Sequence, residues 1–213
     1  PEGLKKLLRD LEQALGRRLM IAMDHEGGRV VHLPEGVTAF PSALAFGETG
    51  RPPYAARQGK IEAKELRRFG IDLNLAPCLD VLTEDYSPSI GIRSYGRDPE
   101  CVASFGAGRI RTMQRGGLSA CAKHFPGLGP AALDPHLKLP VIRASAREIR
   151  KRHLRPFAAA IDAGVHAVMS SHAVYPHLDA SDVPATFSWA IITDALRREL
   201  GFTGLVLTDD LEM

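Results

Sequence analysis

The sequence has few cysteines and no long apolar run, and these absences exclude several classes of protein. Three cysteines occur among 213 residues, Cys78, Cys101 and Cys121, and no two of them form a CxxC pair. An odd and small number argues against a disulfide-built domain, so we expect a reducing compartment and a cytoplasmic location. No apolar run approaches the ~20 residues of a membrane-spanning helix. The charged opening segment PEGLKKLLRDLEQALGRR also lacks the pattern of a signal peptide.

The sequence also lacks an excess of charge of either sign. Lysine and arginine number 27 against 25 aspartates and glutamates, which gives a net charge of +2. Nucleic-acid-binding surfaces usually carry a concentrated basic stripe, and the densest basic run, 147–155, falls in a predicted helix with a solvated face. We therefore expect no nucleic-acid partner. With 45% hydrophobic residues, the segment 1–213 is expected to form a single domain with a sizeable core.

The chain does contain a repeated order of helix, glycine and short apolar run. Helical periodicity, each time followed by glycine, is predicted over 4–15, 55–69, 98–115, 146–163 and 188–200. Apolar runs of strand length follow at 19–24, 71–77, 118–124, 166–172 and 204–210. Such alternation predicts right-handed crossovers and a parallel sheet in an α/β fold.

Each apolar run ends in a polar side chain. These residues are Asp24, Asn74, Lys123 with His124, Ser171 with His172, and Asp209 with Asp210. In a TIM-type (β/α)8 barrel such strand ends converge on one rim, where the active site lies. A doubly wound sheet would share the alternation, but it usually carries GxGxxG after its first strand, and GG at 27–28 is not that motif. A barrel is therefore favoured. Since five strands cannot close eight, we expect an incomplete barrel that lacks its first and last strands.

The loop after the third apolar run carries a candidate acid–base pair. The segment 123–140 reads KHFPGLGPAALDPHLKLP, and Asp134 and His136 lie two residues apart within it. An aspartate so placed can accept the ring N–H, fix the tautomer and raise the basicity of the histidine. A turn-forming aspartate beside a surface histidine would read the same, so the motif alone leaves both interpretations open.

Other candidate residues are charged side chains near the strand ends. Of the adjacent carboxylates Asp209 and Asp210, only one can enter the barrel mouth, as nucleophile, base or metal ligand, and the other caps the next helix. Asp24 is a candidate for gripping substrate hydroxyls, whereas Glu26 and Arg29 are expected to pair and brace their loop. A separate candidate is Arg93 in the segment SIGIRSYG, because its planar guanidinium can donate several hydrogen bonds to substrate oxygens. An ordinary surface arginine without a role in binding would fit the segment equally well.

Taken together and in this order, the segments resemble glycoside hydrolase family 3. They are AMDHEGGRV, GIDLNLAPCLDV, IGIRSYGRDPE, KHFPGLG, LDPHLKLP, SSHAVYPHLD, PATFS and GFTGLVLTDDLEM. KHFPG, the downstream D-x-H and TDDLEM are the most specific, and the resemblance spans nearly the whole chain. More narrowly, the chain is similar to the bacterial β-N-acetylglucosaminidase branch, which trims recycled cell-wall muropeptides.

The resemblance implies a retaining exo-β-N-acetylglucosaminidase whose partner is a β-linked N-acetylglucosaminide and which uses no metal or organic cofactor. By motif, Asp209 matches the nucleophile, and Asp134 with His136 matches the acid/base dyad that distinguishes this branch from the family's β-glucosidases. The family's sugar-binding positions fall on Asp24, Arg93, Lys123 and His124. The chain departs from the usual pattern at three positions, with Leu128 for histidine, Pro135 for serine and His32 for arginine.

Three alternative hypotheses stay open at this point. A metal-dependent barrel hydrolase would find ligand types for zinc in Asp24, His124, His136, His172 and Asp209, but the sequence has no HExxH and no HxH at the first strand. A non-catalytic sugar-binding relative is suggested by Leu128 and His32. A β-glucosidase-like member of the same family is the third.

Overall fold

The computed structural model describes residues 2–83, 87, 89–131 and 138–212. Helix α1 (Glu2–Leu15) precedes strand β1 (Ala22–Met23), and the antiparallel pair β2 (His25–Gly27) and β3 (Val30–Val31) follows. Helices α2 (Ala43–Glu48) and α3 (Pro53–Arg68) lead to β4 (Leu73–Asn74), and α4 (Pro99–Arg115) leads to β5 (Ser119–Phe125). The next helix comprises α5 (Ala146–Glu148), a π-helical turn (Ile149–His153) and α6 (Leu154–Asp162), and it precedes β6 (Ala167–Ser170). A π-helix (Ala190–Glu199) precedes β7 (Leu205–Leu207), and 3₁₀ turns lie at Gly91–Arg93 and Ala185–Phe187.

Five of the strands form one parallel sheet. Its order is β1-β4-β5-β6-β7, so each strand lies beside the sheet strand that precedes it in the chain. A doubly wound sheet reverses its order at one point, and this one does not. The predicted α/β class with a parallel sheet is confirmed, and the unreversed order is that of a curled half-barrel. Within the described ranges five parallel strands are present, so a closed (β/α)8 barrel is not formed by them.

The boundaries of the long helices follow the glycines that end them. Each of the five predicted helices ends within two residues of its predicted end, and the glycines that follow adopt φ values between 63° and 84°: Gly16, Gly70, Gly117, Gly164 and Gly201. A left-handed residue terminates a helix, and glycine adopts that conformation without a steric penalty. Strand β5 is as long as its apolar run, whereas the other four strands of the sheet are shorter than theirs. The sequence did not predict α2 or the β2–β3 pair.

Strand β5 is the central strand of the sheet, and six of its seven residues are buried. Ala120, Cys121, Ala122 and Phe125 have no exposed surface, and the Phe125 ring meets the ring of Phe157 from α6 edge to face at 5.2 Å. The same strand ends in a lysine and a histidine that are also buried. Charged and polar side chains are costly to bury unless they are paired, so the end of β5 must be surrounded by partners.

Two further expectations concern the cysteines and the helices. All three cysteines are free, with Cys78 and Cys121 buried and Cys101 partly buried. In the part of the chain that the structure describes, no helix is long and apolar enough to cross a membrane.

Candidate functional site

Five predicted site residues lie together at the carboxyl ends of the parallel strands. They are Asp24 after β1, Arg93 in the Gly91–Arg93 turn, Lys123 and His124 in β5, and Asp209 after β7. The two members of the predicted acid/base dyad, Asp134 and His136, lie outside the described residues. Four of the other five were placed on one rim from the strand ends, and Arg93, a candidate from the segment SIGIRSYG, lies beside them.

Lys123 lies between two carboxylates. Its Nζ is 2.5 Å from Oδ1 of Asp24 and 2.8 Å from Oε1 of Glu26, and its side chain is 3% exposed. Burial lowers the pKa of Lys123, but the charges of Glu26 and Asp24 outweigh that effect and raise it above its ordinary value. The ammonium therefore stays charged and draws the two carboxylates to one point.

Glu26 is the second partner of this lysine and the main partner of Arg93. The guanidinium of Arg93 donates two hydrogen bonds to Glu26, from Nε to Oε2 at 2.9 Å and from Nη2 to Oε1 at 2.7 Å. Its third nitrogen, Nη1, donates to the Ser89 carbonyl at 3.0 Å. Burial raises the pKa of Glu26, but Lys123 and Arg93 together hold it below its usual value. The expected pairing of Glu26 with Arg29 is wrong, because Arg29 instead donates to the Ser89 carbonyl at 2.8 Å.

A fully buried carboxylate, Asp80, holds His124 from behind. Its Oδ2 lies 2.7 Å from Nδ1 of His124 and accepts the His124 backbone N–H at 3.2 Å, while Oδ1 accepts the Leu128 N–H at 2.5 Å. Burial raises the pKa of Asp80, but His124 and these hydrogen bonds outweigh it and lower the pKa below its ordinary value. An ionised carboxylate only accepts hydrogen bonds, so we assign the ring proton to Nδ1, which leaves the Nε2 of a neutral ring as an acceptor.

The free edge of His124 faces Arg93 and Asp209. Nε2 is 3.4 Å from Nη2 of Arg93 and 3.8 Å from Oδ2 of Asp209. The other oxygen of Asp209 accepts the backbone N–H of Asp210 at 2.9 Å, and the side chain is 23% exposed. Asp210 is exposed and accepts the Glu212 N–H at 2.9 Å. One carboxylate therefore lies beside His124, and its neighbour caps a turn, whereas the prediction had the second aspartate capping a helix.

His172 joins the ends of the last two strands. Its Nδ1 lies 2.8 Å from the hydroxyl of Thr186, and its Nε2 lies 2.9 Å from the carbonyl of Asp210. Both ring nitrogens are thus engaged with the protein. The role of this side chain is to brace the backbone that follows Asp209.

Among the residues that the structure describes, one group of side chains has the spacing of a metal site. The ligating atoms of Cys78, Asp80 and His124 all lie within 4.8 Å of one another, and all three residues are buried. Cys78 Sγ is 3.2 Å from Asp80, and burial raises the pKa of its thiol well above its ordinary value. A thiol must lose its proton to bind a metal, so these donors fit the hydrogen-bond network better than an ion.

Glu26 and Asp80 were not predicted as site residues. A signal was present for Glu26, because it lies two residues after Asp24. Asp80 stands in the apolar run LAPCLDV, where a carboxylate is unexpected unless it has buried partners.

Known proteins match both the sequence and the structure. The model of the N-terminal domain of glycosyl hydrolase family 3 matches residues 2–213. A Beta-hexosaminidase of Neisseria meningitidis is 39% identical over 219 residues, which cover 100% of this chain and 60% of that protein. A family 3 β-N-acetylglucosaminidase from a Paenibacillus strain is 40% identical with a TM-score of 0.95, covering 99% of this chain and 41% of that one. NagZ from Neisseria gonorrhoeae, solved in complex with N-trifluoroacetyl-D-glucosamine, is 38% identical with a TM-score of 0.92, covering 100% of this chain and 64% of that one.

These matches cover the strand ends from which the site is built. The chain spans about 60% of the length of the curated relatives it matches. A family match over nearly every residue, with relatives near 39% identity over the whole chain, is sufficient to assign a family. The chain therefore belongs to glycosyl hydrolase family 3, of whose N-terminal domain it forms part.

Proposed function

We propose that the protein is a retaining exo-β-N-acetylglucosaminidase acting on peptidoglycan-derived or related β-linked N-acetylglucosaminides, with Asp209 as nucleophile. The observation that carries the proposal is the position of Asp209, whose Oδ2 lies 3.8 Å from His124 while Oδ1 is fixed by the Asp210 amide. One carboxylate oxygen is thus oriented by the backbone and the other is directed at the strand-end cluster. The relatives named Beta-hexosaminidase and the complex of NagZ with a glucosamine derivative support the same substrate class.

The proposed chemistry has two steps. An Asp209 oxygen attacks the anomeric carbon, the bond to the leaving oxygen breaks, and His136 donates its proton to that oxygen. The glycosyl–aspartate ester is then attacked by water, whose proton passes to His136, and the Asp209 carboxylate is released with retention of configuration. Asp134 stabilises the imidazolium form of His136. An imidazole with an ordinary pKa of about 6.5 can serve as acid and then as base near neutral pH.

The remaining charged side chains are proposed to bind the sugar. Asp24 and Arg93 offer an acceptor and donors for hydroxyl groups, and Lys123 and His124 complete the same face. The carboxylate of Asp24 is 31% exposed, whereas that of Glu26 is 5% exposed. Asp24 is therefore the member of the pair that can reach a ligand, while Glu26 holds the cations in place.

The proposal requires neither a metal nor an organic cofactor, because nucleophile and acid/base are all side chains. Residues 1–213 are proposed to belong to one catalytic barrel domain. The cytoplasmic location and the absence of a nucleic-acid partner stay predictions from composition.

The adjacent aspartates provide a matched test. With the complete protein and a chromogenic β-N-acetylglucosaminide, Asp209→Ala should lower kcat about 10⁴-fold, whereas Asp210→Ala, which keeps the backbone carbonyl that His172 contacts, should stay within about threefold of wild type. Equal and near-zero rates for wild type and Asp209→Ala would instead identify a non-catalytic sugar-binding relative. Faster cleavage of the corresponding β-glucoside would indicate a β-glucosidase.

The acid role of His136 has a separate signature. His136→Ala should slow substrates with poor leaving groups far more than activated aryl glycosides, because the activated groups need little protonation. The same fold loss for every leaving group would remove His136 from the acid role.

A further inference from the structure

Three polar side chains are buried between two helices next to the site. Gln58 and Glu62 lie one turn apart on α3, Arg109 lies on α4, and each is 1% exposed. A buried ion pair loses its hydration, and apolar side chains of similar volume are often equally stabilising. Stability alone is therefore an incomplete reason for charges at this position.

The three side chains form one rigid unit. Arg109 donates from Nε to Oε2 of Glu62 at 3.0 Å and from Nη2 to Oε1 at 2.7 Å, and Gln58 Nε2 donates to the same Oε1 at 2.8 Å. The two-point contact fixes the plane of the guanidinium. Glu62 thus orients the amide of Gln58 and the fork of Arg109 at the same time.

Both oriented donors also bind the backbone of β2. Arg109 Nη2 donates to the His25 carbonyl at 3.1 Å, and Gln58 Nε2 donates to the Glu26 carbonyl at 3.1 Å. The amide of Asn74 donates to the His25 carbonyl at 2.8 Å and accepts the His25 N–H at 3.1 Å. Two consecutive carbonyls of one short strand are therefore held by side chains, in addition to the pairing of that strand with β3.

This strand carries the carboxylates that organise the site. Asp24 immediately precedes β2 and Glu26 lies within it, and together they hold Lys123 at 2.5 and 2.8 Å. A shift of the β2 backbone would move both carboxylates, and with them Lys123 and Arg93. The position of the proposed sugar-binding groups thus depends on contacts made on the opposite, helix side of the strand.

We infer that Gln58, Glu62 and Arg109 form a carbonyl clamp that positions Asp24 and Glu26 for substrate binding. They act through the backbone and are positioning residues, since their donors reach β2 rather than the strand-end cluster. The clamp follows from geometry, whereas its consequence for substrate rests on the proposed function.

The kinetic test uses Gln58→Met in the complete protein, with Ile110→Val as the matched control. Gln58→Met keeps the approximate shape and removes the donor to the Glu26 carbonyl. It should raise KM for a chromogenic β-N-acetylglucosaminide about tenfold and change kcat less than about threefold. Ile110 is a fully buried residue of α4, and removing one of its methyl groups should reduce stability without changing KM.

A second measurement does not depend on activity. Amide hydrogen exchange over 24–31 should become about tenfold faster in Gln58→Met and stay unchanged in Ile110→Val, because only the former frees β2 locally. If amides 24–31 of Gln58→Met exchange at the wild-type rate, the clamp is refuted. If they exchange faster but KM is unchanged, the role of the clamp in substrate binding is refuted. An inactive wild type would refute the proposed function, and exchange would still decide on the clamp. If Gln58→Met does not fold, Arg109→Lys takes its place with the same expected results. Lysine keeps the charge but lacks the planar guanidinium that contacts Glu62 and the His25 carbonyl together.

Discussion

The orientation of His124 depends on the buried carboxylate of Asp80. The substitution Asp80→Asn replaces one oxygen of that side chain with an NH₂ group and changes no other heavy atom. The carboxylate accepts from the ring and backbone of His124 on one oxygen and from the Leu128 N–H on the other. Asparagine retains one oxygen, so its NH₂ group must face donors on one side. A lost charge-assisted hydrogen bond costs about 1.5–3 kcal/mol and an unsatisfied buried donor about 1–3 kcal/mol. We expect Asp80→Asn to reduce the free energy of unfolding by about 3–5 kcal/mol.

The same change should impair binding and turnover. If the new NH₂ group faces His124, Nδ1 must accept and the ring proton moves to Nε2, where it meets the Nη2 donor of Arg93 at 3.4 Å. The repulsion displaces one of the two side chains from the site. We expect kcat/KM at pH 7 to fall about 100-fold, which corresponds to roughly 2.7 kcal/mol.

Urea unfolding of the complete protein, followed by kinetics on the folded fraction, measures both effects. Cys78→Ala is the control, because its thiol is a weak donor to the same carboxylate at 3.2 Å and its loss should cost only about 1 kcal/mol. A destabilisation by Asp80→Asn no larger than that of Cys78→Ala would refute the assignment of Asp80 as the acceptor that organises this part of the site.

Two further predictions concern buried groups behind the site. Burial lowers the pKa of His153 from 6.5 to about 4, so below pH 6.5 the unfolded chain binds a proton that the folded state excludes, and stability falls as the pH drops towards 4. When the pH falls from 7 to 5, the free energy of unfolding of His153→Met, measured with urea, should rise by about 2 kcal/mol relative to that of wild type. A difference between the two proteins that is the same at both pH values would contradict this prediction. The Tyr175 hydroxyl donates to the Gly127 carbonyl at 3.0 Å and lies 2.9 Å from the hydroxyl of Ser171, so Tyr175→Phe should reduce the free energy of unfolding by about 1–2 kcal/mol. An unchanged denaturation midpoint would exclude that contribution.

The sequence predicted the long elements because their signals are local. Apolar spacing and a terminal glycine define a helix such as α4 without reference to the rest of the chain. The pair β2 and β3 was missed because two or three residues are too few to display a period of two. The polar strand ends were also predictable, since parallel strands place them on one rim.

Charge pairing was less predictable than the elements. Glu26 was assigned to Arg29, three residues away, yet its partner Arg93 lies 67 residues away. Strand order and register decide which distant charges meet, and no local pattern encodes them. Likewise Gln58 and Glu62 have the spacing of a solvated helix face, and only the packing of α3 on α4 buries them.

The roles of Asp134 and His136 stay predictions. Their assignment depends on the D-x-H motif and on the family resemblance, and both residues lie outside the described part of the chain. The nucleophile assignment has more support, since Asp209 lies beside His124.

The pairing around Lys123 has an electrostatic consequence for what the rim can accommodate. Among the described residues of the site, four carboxylates, Asp24, Glu26, Asp80 and Asp209, face only two permanent cations, Lys123 and Arg93. Because the carboxylates outnumber these cations by two, the local potential is negative. Such a field disfavours anions and stabilises positive charge that develops on a sugar ring, as in an oxocarbenium-like transition state. Cationic ring mimics should therefore be better ligands than neutral molecules of the same shape.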